Sequence, residues 1–192
     1  MSETRKYTGL PPNFPQGHSL VLVGMMGVGK TTVGRRLAPY VGLPFVDVDA
    51  EIEKASGMLA GELFTAHGEK SFREGEARIM KRLLEGAPQV ISTGGGAVIN
   101  PDTRALIRQH AVSIWIQADA DTIVERATKR NTRPLLAQGD PKVTIANLLR
   151  ERHDFYAEAD IHVESQPGPH AHTVHLIVDR LDAYVPKPKQ DE

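Results

Sequence analysis

A glycine-rich segment near the N-terminus carries the residues best suited to chemistry. Residues 24–31 read G-M-M-G-V-G-K-T and fit the pattern G-x-x-x-x-G-K-[ST], between an apolar run at 19–23 and a predicted helix at 31–41. Backbone N–H groups and the positive end of a helix dipole meet at such a turn, and together they favour a polyphosphate. The segment therefore predicts nucleotide binding, and the alternative is a chance glycine-rich turn.

The residues of this segment are expected to contribute to phosphate binding in different ways. Glycines let the backbone approach a ligand closely, and Lys30 can reach the outer phosphates and take part in catalysis. The Thr31 hydroxyl can ligate Mg²⁺, with Thr32 as a weaker candidate. The predicted nucleotide contacts here are Gly27, Val28, Gly29, Lys30, Thr31 and Thr32.

Two aspartates end a second apolar run, which is predicted as a strand over residues 44–48. Asp47 and Asp49 would alternate along that strand, so both carboxylates would point to one face, near the phosphate loop if the two strands are neighbours. Asp47 is a candidate for holding Mg²⁺ indirectly, and Asp49 for binding a substrate hydroxyl and accepting its proton. The alternative is a solvated strand end.

Further ligand contacts are predicted after the next strand and inside a helical segment. Gly94, Gly95 and Gly96 follow a strand predicted at 90–93 and leave backbone open to a ligand, although a hinge or tight turn would have the same composition. Arg73 has Glu76 one helical turn further on, which can orient its guanidinium toward a substrate carboxylate. An exposed helix ion pair is the alternative.

Arginines in the second half of the chain can supply more anion contacts. Arg133 lies in a polar segment over residues 131–142, where a lid arginine would stabilise the transferring phosphoryl group. Arg152 and Tyr156, four residues apart in a helical pattern, can form an anion contact with a supporting ring. Arg126 and Arg130 precede the lid and can stack on the nucleotide base. Solvated arginines are the alternative at these positions.

The last predicted strand is followed by a Pro- and Gly-containing loop and then by three histidines. The loop over residues 165–169 can wrap the nucleotide base, with Gln166 as the predicted contact, or it can be a plain connection. His170, His172 and His175 have no partnered metal motif, so we predict surface histidines and no metal site there.

Five apolar runs alternate with helical patterns. Strands are predicted at residues 19–23, 44–48, 90–93, 111–117 and 161–164, and helices at 31–41, 101–109, 120–130 and 173–184. This alternation predicts a parallel sheet with helices on both faces and ligands beyond the carboxyl ends of the strands. Residues 51–86 and 131–142 exceed simple connections and are predicted as a largely helical substrate-binding insertion and a lid.

Length and composition favour one soluble domain that binds a small molecule. The 192 residues include 23 Lys and Arg against 24 Asp and Glu, which gives no basic surface for nucleic acid or an anionic membrane. No apolar run approaches the roughly 20 residues of a membrane span. The absence of cysteine fits a reducing compartment, for which cytoplasm is the default. We predict a flexible arm at 1–17, a single domain at 18–185, a polar tail at 186–192, and a monomer.

Together these motifs resemble the shikimate kinase family. The phosphate loop, D-V-D, F-R-E-G-E, S-T-G-G-G, R-P-L-L and R-x-x-x-Y occur in the family's order, from about residue 20 to residue 184. The resemblance implies a P-loop kinase of the nucleoside-monophosphate-kinase-like type, an α/β fold with three α/β/α layers and a five-stranded parallel sheet. It also implies ATP-dependent phosphorylation of the 3-hydroxyl of shikimate, in the biosynthesis of aromatic amino acids.

The resemblance implies roles for individual residues. It places Thr31 and Asp47 on Mg²⁺, Arg133 at ATP and Arg130 against the adenine. The residues that it places on shikimate are Asp49, Arg73, Gly95 and Arg152.

Two rival functions are open. A different small-molecule kinase, such as a gluconate kinase, would share the phosphate loop but need not share the D-x-D, F-R and G-G-G set. A nucleotide-dependent switch or binding module is the other rival, against which Lys30, Asp47 and Asp49 argue. No N-K-x-D guanine-reading element is present, so GTPase switching is the weaker form of that rival.

Overall fold

One parallel sheet forms the centre of the molecule. The structure is a computed structural model, which describes residues 9–128, 136, 139–165 and 168–186. Its strands run in the spatial order β2-β3-β1-β4-β5, and every pair is parallel. The strands are β1 (Ser19–Val23), β2 (Phe45–Asp47), β3 (Val90–Ser92), β4 (Ala111–Gln117) and β5 (Ile161–Glu164). The predicted five-stranded parallel sheet is confirmed.

Helices connect these strands. In the described residues they are α1 (Lys30–Val41), α2 (Val48–Ser56), α3 (Ala60–Leu84), α4 (Pro101–His110), α5 (Ala120–Thr128), α6 (Pro141–Ala157) and α7 (His170–Asp182), with a 3-10 helix at Ala97–Ile99. Among them there is no helix with both the length and the apolar character needed to cross a bilayer.

Alternate residues of the central strand serve opposite faces of the sheet. Leu20 and Leu22 of β1 belong to a core cluster with residues of α1 and α7. Val21 and Val23 belong to a second cluster with residues of α2, α3 and α4. All four side chains are buried, as expected for a parallel strand that is covered on both faces. The predicted three-layer α/β/α arrangement is therefore confirmed.

The D-V-D segment is not a continuous strand, so that prediction is wrong. β2 ends at Asp47, whose Oδ1 accepts hydrogen bonds from the backbone N–H groups of Asp49 (3.1 Å) and Ala50 (3.3 Å) and caps α2. Asp49 consequently lies in the first turn of a helix. A side-chain oxygen that caps a helix N-terminus satisfies N–H groups that have no partner within the helix. This local hydrogen bond, and not the strand-like alternation of side chains, determines the conformation after Asp47.

The order of strands also differs from the simplest expectation. β3 lies between β1 and β2, so the phosphate loop and the aspartates follow strands that are not neighbours. Asp47 is in register with Ser92 of β3, and Ser92 is in register with Leu22 of β1. All three strands nevertheless end at the same edge, which brings the loops that follow them together.

The predicted insertion is largely helical in the structure, whereas most of the predicted lid lies outside the described residues. Residues 51–86 contain most of α2 and all of α3, as the helical pattern predicts. α3 is kinked at Gly68, whose φ of 77° lies in the left-handed region that favours glycine. The predicted lid falls largely outside the described residues, and its last two residues, Pro141 and Lys142, already begin α6.

Part of the predicted N-terminal arm packs against the domain. Phe14 is 7% exposed and belongs to the core cluster that contains α1 and α7. The Gly9 N–H donates to the Tyr40 carbonyl at 3.2 Å, and the Asn13 side chain donates to the Tyr184 carbonyl. These contacts support a folded unit that begins before residue 18.

Candidate active site

A cleft of about 420 Å³ opens where the chain leaves β1, β2 and β3. The predicted site residues that line it are Gly27, Gly29, Lys30, Thr31, Thr32, Asp47, Asp49, Arg73, Gly94, Gly95, Gly96 and Arg152. Val28 does not line it, because its side chain is buried in the core. Arg130, Arg133 and Gln166 lie outside the described residues.

The turn between β1 and α1 presents an uncapped helix N-terminus to the cleft. Gly29 is the N-cap residue, with a φ of 97° that glycine adopts without strain. α1 has neither a side-chain cap nor an acidic residue in its first turn. The N–H of Val33 makes the first helical bond, to the Gly29 carbonyl at 2.9 Å, so the preceding amides have no partner within α1. This arrangement suits an anion.

Lys30 is held against the same turn. Its side chain is 7% exposed, and its Nζ donates to the carbonyls of Gly24 at 2.7 Å and Met25 at 2.9 Å. The loop carbonyls thus satisfy a buried ammonium at the wall of the cleft. This position supplies a positive charge beside the helix N-terminus.

Three oxygen-bearing side chains meet next to Lys30. The Thr31 hydroxyl donates to Asp47 Oδ2 at 2.7 Å, and it lies 3.4 Å from the Ser92 hydroxyl. Hydroxyl and carboxylate oxygens are hard ligands of the kind that Mg²⁺ prefers. Sequence reasoning missed Ser92, although its place at the end of a strand before the glycine run is a usable signal.

Asp49 faces a second carboxylate across the start of the glycine loop, residues 94–96. A Cβ atom on Gly94 would overlap the Glu76 carboxylate and would lie 3.4 Å from Asp49 Oδ1. Glycine at this position therefore lets the Glu76 carboxylate lie directly against the backbone, whereas the distance to Asp49 is an ordinary contact. Glu76 is 2% exposed, and the Asp49 charge is one of the influences that raise its pKa.

Arg73 and Glu76 form a largely buried pair and not the exposed helix pair that was the alternative. The Nη1 of Arg73 lies 2.6 Å from Glu76 Oε2, and the two side chains are 18% and 2% exposed. Burial raises the pKa of Glu76, while the adjacent Arg73 opposes that change. A Cβ on Gly96 would overlap the Arg73 guanidinium, so this cation packs directly on the glycine loop.

Arg152 approaches the glycine loop from α6. Its side chain is 3% exposed, and its Nη1 donates to the Gly95 carbonyl at 3.1 Å. The predicted i and i+4 relation of Arg152 and Tyr156 on a helix is present, since both belong to α6. Two arginines from different helices thus meet at one short loop.

His170 departs from the prediction of a surface histidine. It lies at the first position of α7, three residues before the predicted helix start, and lines the cleft. Its ring is so close to Gly29 that a Cβ there would lie 2.9 Å from His170 Cε1. Burial lowers the pKa of His170, and the positive charges of Arg126 and Arg36 lower it further. Arg126 also lines the cleft, so this arginine, one of the two base-stacking candidates, is at the site.

Apolar residues of α3 complete the wall. Ala60, Gly61, Phe64 and Phe72 line the cleft, and the rings of Phe64 and Phe72 meet edge to face at 5.5 Å between centroids. They lie on opposite sides of the kink at Gly68, so the period of a single helix does not predict this contact.

Several buried polar atoms around the cleft have no hydrogen-bond partner within the described part of the chain. They are Arg73 Nε, Arg152 Nε, Glu76 Oε1, Arg126 Nη1 and His170 Nδ1. Buried polar groups are normally paired, so these atoms are available to a polar ligand or to ordered water. Arginine donors and a carboxylate acceptor near the glycine loop suit a ligand that carries both a carboxylate and hydroxyl groups.

The fold and the cleft define a P-loop phosphotransferase. A phosphate loop leads into a helix, and carboxylates and arginines stand at the adjacent strand ends. The sequence model of the family described as Shikimate kinase matches residues 26–182. This chain belongs to the shikimate kinase family.

Individual relatives agree with that assignment. The chain is 51% identical to a shikimate kinase from Bradyrhizobium diazoefficiens over 87% of its own length and 81% of the relative's. It is 44% identical to one from Zymomonas mobilis over 88% and 97% of the two chains. A solved shikimate kinase from Acinetobacter baumannii, in complex with shikimate, superposes with a TM-score of 0.85 at 31% identity and covers 88% of this chain and 96% of that one.

A likeness to another kinase extends only to the fold. A gluconokinase from Sinorhizobium meliloti superposes with a TM-score of 0.60 at 21% identity, covering 87% of this chain and 93% of that one. The predicted P-loop kinase fold is therefore confirmed, and gluconate as the substrate gains no support from this likeness.

Proposed function

We infer that this chain catalyses its family's reaction, the transfer of the γ-phosphoryl group of ATP to the 3-hydroxyl of shikimate. The product is shikimate 3-phosphate, an intermediate in the biosynthesis of aromatic amino acids. The observation that carries this inference is the glycine loop, where the cations Arg73 and Arg152 and the carboxylates of Asp49 and Glu76 surround one short stretch of backbone. A small acid that bears hydroxyl groups complements this set.

We propose that the triphosphate of ATP binds at the N-terminus of α1. The amides of the turn and the first helical residues bind phosphate oxygens, and the Lys30 ammonium stabilises charge on the outer phosphates. His170 lies beside Gly29 and Arg126 lines the same cleft, where the rest of the nucleotide would extend. The proposed contacts of Arg130, Arg133 and Gln166 with ATP concern residues outside the described part of the chain.

Mg²⁺ is the proposed metal. The Thr31 hydroxyl and the Asp47 carboxylate lie 2.7 Å apart at the wall of the cleft and would hold the ion, Asp47 indirectly. When bound, Mg²⁺ neutralises charge on the phosphates. The hydroxyl of Thr31 and the carboxylate of Asp47 both offer oxygen atoms, the type of ligand that Mg²⁺ prefers.

The acceptor is proposed to lie between Asp49 and the phosphate loop. Arg73 and Arg152 bind the carboxylate of shikimate, while the backbone of residues 94–96 contacts the ring substituents. Asp49 orients the 3-hydroxyl and accepts its proton as the oxygen attacks phosphorus. Positioning and charge stabilisation supply most of the rate enhancement in such a transfer.

We further propose a monomer that works in the cytoplasm as a single kinase domain. The cleft combines residues from the phosphate loop, α3, the glycine loop and α6 of one chain, which is compatible with a monomer. A chain without cysteine suits a reducing compartment. Light scattering of the purified protein, with and without ligands, tests the monomer.

The decisive experiment is a coupled assay of ADP release with Mg²⁺ and ATP. Shikimate, gluconate, nucleoside monophosphates and a reaction without acceptor are compared at equal concentration. Turnover with shikimate alone supports the proposed function. Turnover with another acceptor would reassign the pocket, and tight ATP binding without any turnover would favour a binding module. Omission of Mg²⁺ in the presence of a chelator should abolish the shikimate-dependent rate.

A further inference from the structure

The carbonyl oxygen of Gly95 receives two hydrogen bonds from α6. One comes from Arg152 Nη1 at 3.1 Å, and the other comes from the hydroxyl of Tyr156. The two donors are four residues apart, so they project from the same face of the helix. The middle residue of the glycine loop is thereby fastened to α6 at one atom.

Tyr156 is built into the core and does not lie in the cleft. The residue is 1% exposed, its ring centroid lies 5.8 Å from that of Trp115, and its hydroxyl lies 3.9 Å from the sulfur of Met25. Burial raises the pKa of Tyr156 to about 12, a change that the neighbouring Arg152 opposes. The phenol consequently keeps its proton at neutral pH and stays a donor to Gly95.

Gly95 contacts the phosphate loop on its other side. A Cβ atom on Gly95 would lie 3.2 Å from the Met26 nitrogen and 3.7 Å from the Gly24 carbonyl oxygen. The two neighbouring glycines pack against the site carboxylates and the Arg73 guanidinium. A shift of Gly95 would therefore change the distance between the acceptor contacts and the phosphate loop.

We propose that Tyr156 is a positioning residue, whose hydroxyl fixes the Gly95 carbonyl and so sets where the glycine loop holds the acceptor relative to the phosphate loop. This inference rests on the proposed function. Arg152 also bonds this carbonyl, but its guanidinium is shared with the proposed contact to the substrate carboxylate. Tyr156 does not line the cleft, and its hydroxyl bonds the Gly95 carbonyl without a part in the proposed substrate contact.

The variant Tyr156→Phe removes the hydroxyl and keeps the ring that packs on Trp115, so the protein should still fold. We expect the KM for shikimate to rise by about tenfold, which is the effect of losing one buried hydrogen bond that supports binding. The kcat should fall as well, because the acceptor is less well aligned. The KM for ATP should change less than the KM for shikimate, since the hydroxyl meets the phosphate loop only at the Met25 sulfur, 3.9 Å away, and makes no described bond to an amide of that loop.

The matched control is Tyr40→Phe. Tyr40 lies ten residues after Lys30 on α1, about 15 Å further along the helix, and its ring meets His175 edge to face. This variant should leave both KM values and kcat at the wild-type level. The thermal midpoint and the fluorescence of Trp115, the only tryptophan of the chain, verify that both variants are folded.

Hydrogen exchange of the peptide that covers residues 93–97 gives a second readout. In Tyr156→Phe without ligand, this peptide should exchange faster than in the wild type, while the peptide covering residues 30–41 should not change. Equal shikimate KM values in wild type and Tyr156→Phe would overturn the proposal, as would an equal loss of ATP and shikimate binding. Failure of the wild-type enzyme to phosphorylate shikimate would instead contradict the proposed function.

Discussion

At the scale of single residues, burial decides what the charged groups can do. Arg73 has two acidic neighbours on α3, Glu69 at 3.4 Å and Glu76 at 2.6 Å. Glu69 is 51% exposed, whereas Glu76 is 2% exposed. An exposed pair contributes little, but a buried pair fixes the guanidinium in place. The orientation of Arg73 toward the glycine loop therefore depends on Glu76.

Asp49→Asn tests the proposed general base. The amide keeps the shape of the side chain but cannot accept the proton of the attacking hydroxyl, so we expect kcat to fall by about 10²- to 10⁴-fold. The affinity for ATP should not change, because Asp49 belongs to the proposed acceptor side. Steady-state kinetics and ATP-binding calorimetry measure the two effects. Asp154→Asn is the control, since that side chain on α6 is 99% exposed. Wild-type turnover in Asp49→Asn would refute the assignment of Asp49 as the general base.

Glu76→Gln tests the buried ion pair through pH. The pKa of Glu76 is raised in the folded protein, so its contribution to stability is present at low pH and is lost as pH rises from the ordinary glutamate pKa, about 4.3, through the raised value. Glutamine cannot titrate, so the thermal midpoint of Glu76→Gln minus that of the wild type should increase with pH across this window. Thermal unfolding between pH 4 and pH 8 measures this difference.

The same variant should bind shikimate less well, because Arg73 loses the negative charge of its buried partner. Glu69→Gln is the matched control: it removes the charge of the exposed partner of the same arginine and should change neither the pH profile nor the shikimate KM beyond error. A difference curve for Glu76→Gln that is flat with pH would contradict the raised pKa.

At the scale of elements, the sequence predicted the sheet well and the ends of its strands less well. β4 and β5 have the predicted bounds: β4 is a mainly apolar buried run, and β5 alternates buried and exposed residues with the period of a strand. The D-V-D prediction failed because a buried Val48 is compatible with a strand and with the first turn of a helix. The apolar pattern therefore could not distinguish the two structures. The decisive interaction is the cap that Asp47 provides, a local hydrogen bond that periodicity does not report.

The start of α7 shows the same difficulty. The predicted helix begins at Thr173, where the apolar pattern starts, but the observed helix begins at His170 directly after Pro169. The three additional residues carry His170 to the cleft. By contrast, most of the predicted cleft residues were found because glycines and charged groups directly after buried strands mark the ligand-binding edge of a parallel sheet.

Arg104 joins two elements that frame the glycine loop. Its Nη1 donates to the carbonyls of Val98 at 2.7 Å and Ile99 at 3.0 Å. Its Nε lies 3.2 Å from a carboxylate oxygen of Glu158, the C-cap residue of α6. We expect Arg104→Gln to reduce the free energy of unfolding by about 1.5–3 kcal/mol, as for hydrogen bonds that involve a charged group. Denaturant titration measures this loss.

The control for Arg104 is Arg108→Gln. Arg108 contacts the same oxygen of Glu158 at 3.1 Å, but its side chain is 63% exposed, compared with 18% for Arg104. Its removal should cost less than about 1 kcal/mol. Equal losses in the two variants would show that the ion pair with Glu158, and not the bonds to the 3-10 helix, accounts for the effect.

At the scale of the whole molecule, the topology gathers distant parts of the chain at one edge. The glycine loop contacts Arg73 from α3, Arg152 from α6 and the phosphate loop after β1. This is possible because β3 lies next to β1 in the sheet, a strand order that no local pattern in the sequence specifies. The sequence identified the participants, whereas their contacts depend on long-range packing.

The N-terminal segment supplies a prediction about the molecule as a whole. Phe14 is buried in the core cluster that contains α1 and α7, and Asn13 and Gly9 make hydrogen bonds near the C-terminal ends of those helices. Phe14→Ala should therefore reduce the free energy of unfolding by about 3–5 kcal/mol, the usual cost of truncating a buried phenylalanine. At a temperature where the variant is folded, kcat and both KM values should equal those of the wild type, because Phe14 does not line the cleft.

Phe14→Leu separates the packing of this segment from a general effect of substitution. Leucine keeps most of the apolar volume, so its cost should be well below that of alanine, and the two losses should scale with the volume removed. Denaturant titrations of both variants provide the comparison. If Phe14→Ala were as stable as the wild type, the segment before residue 18 would be a dispensable arm; a large loss with unchanged kinetics would place the start of the folded unit before Phe14.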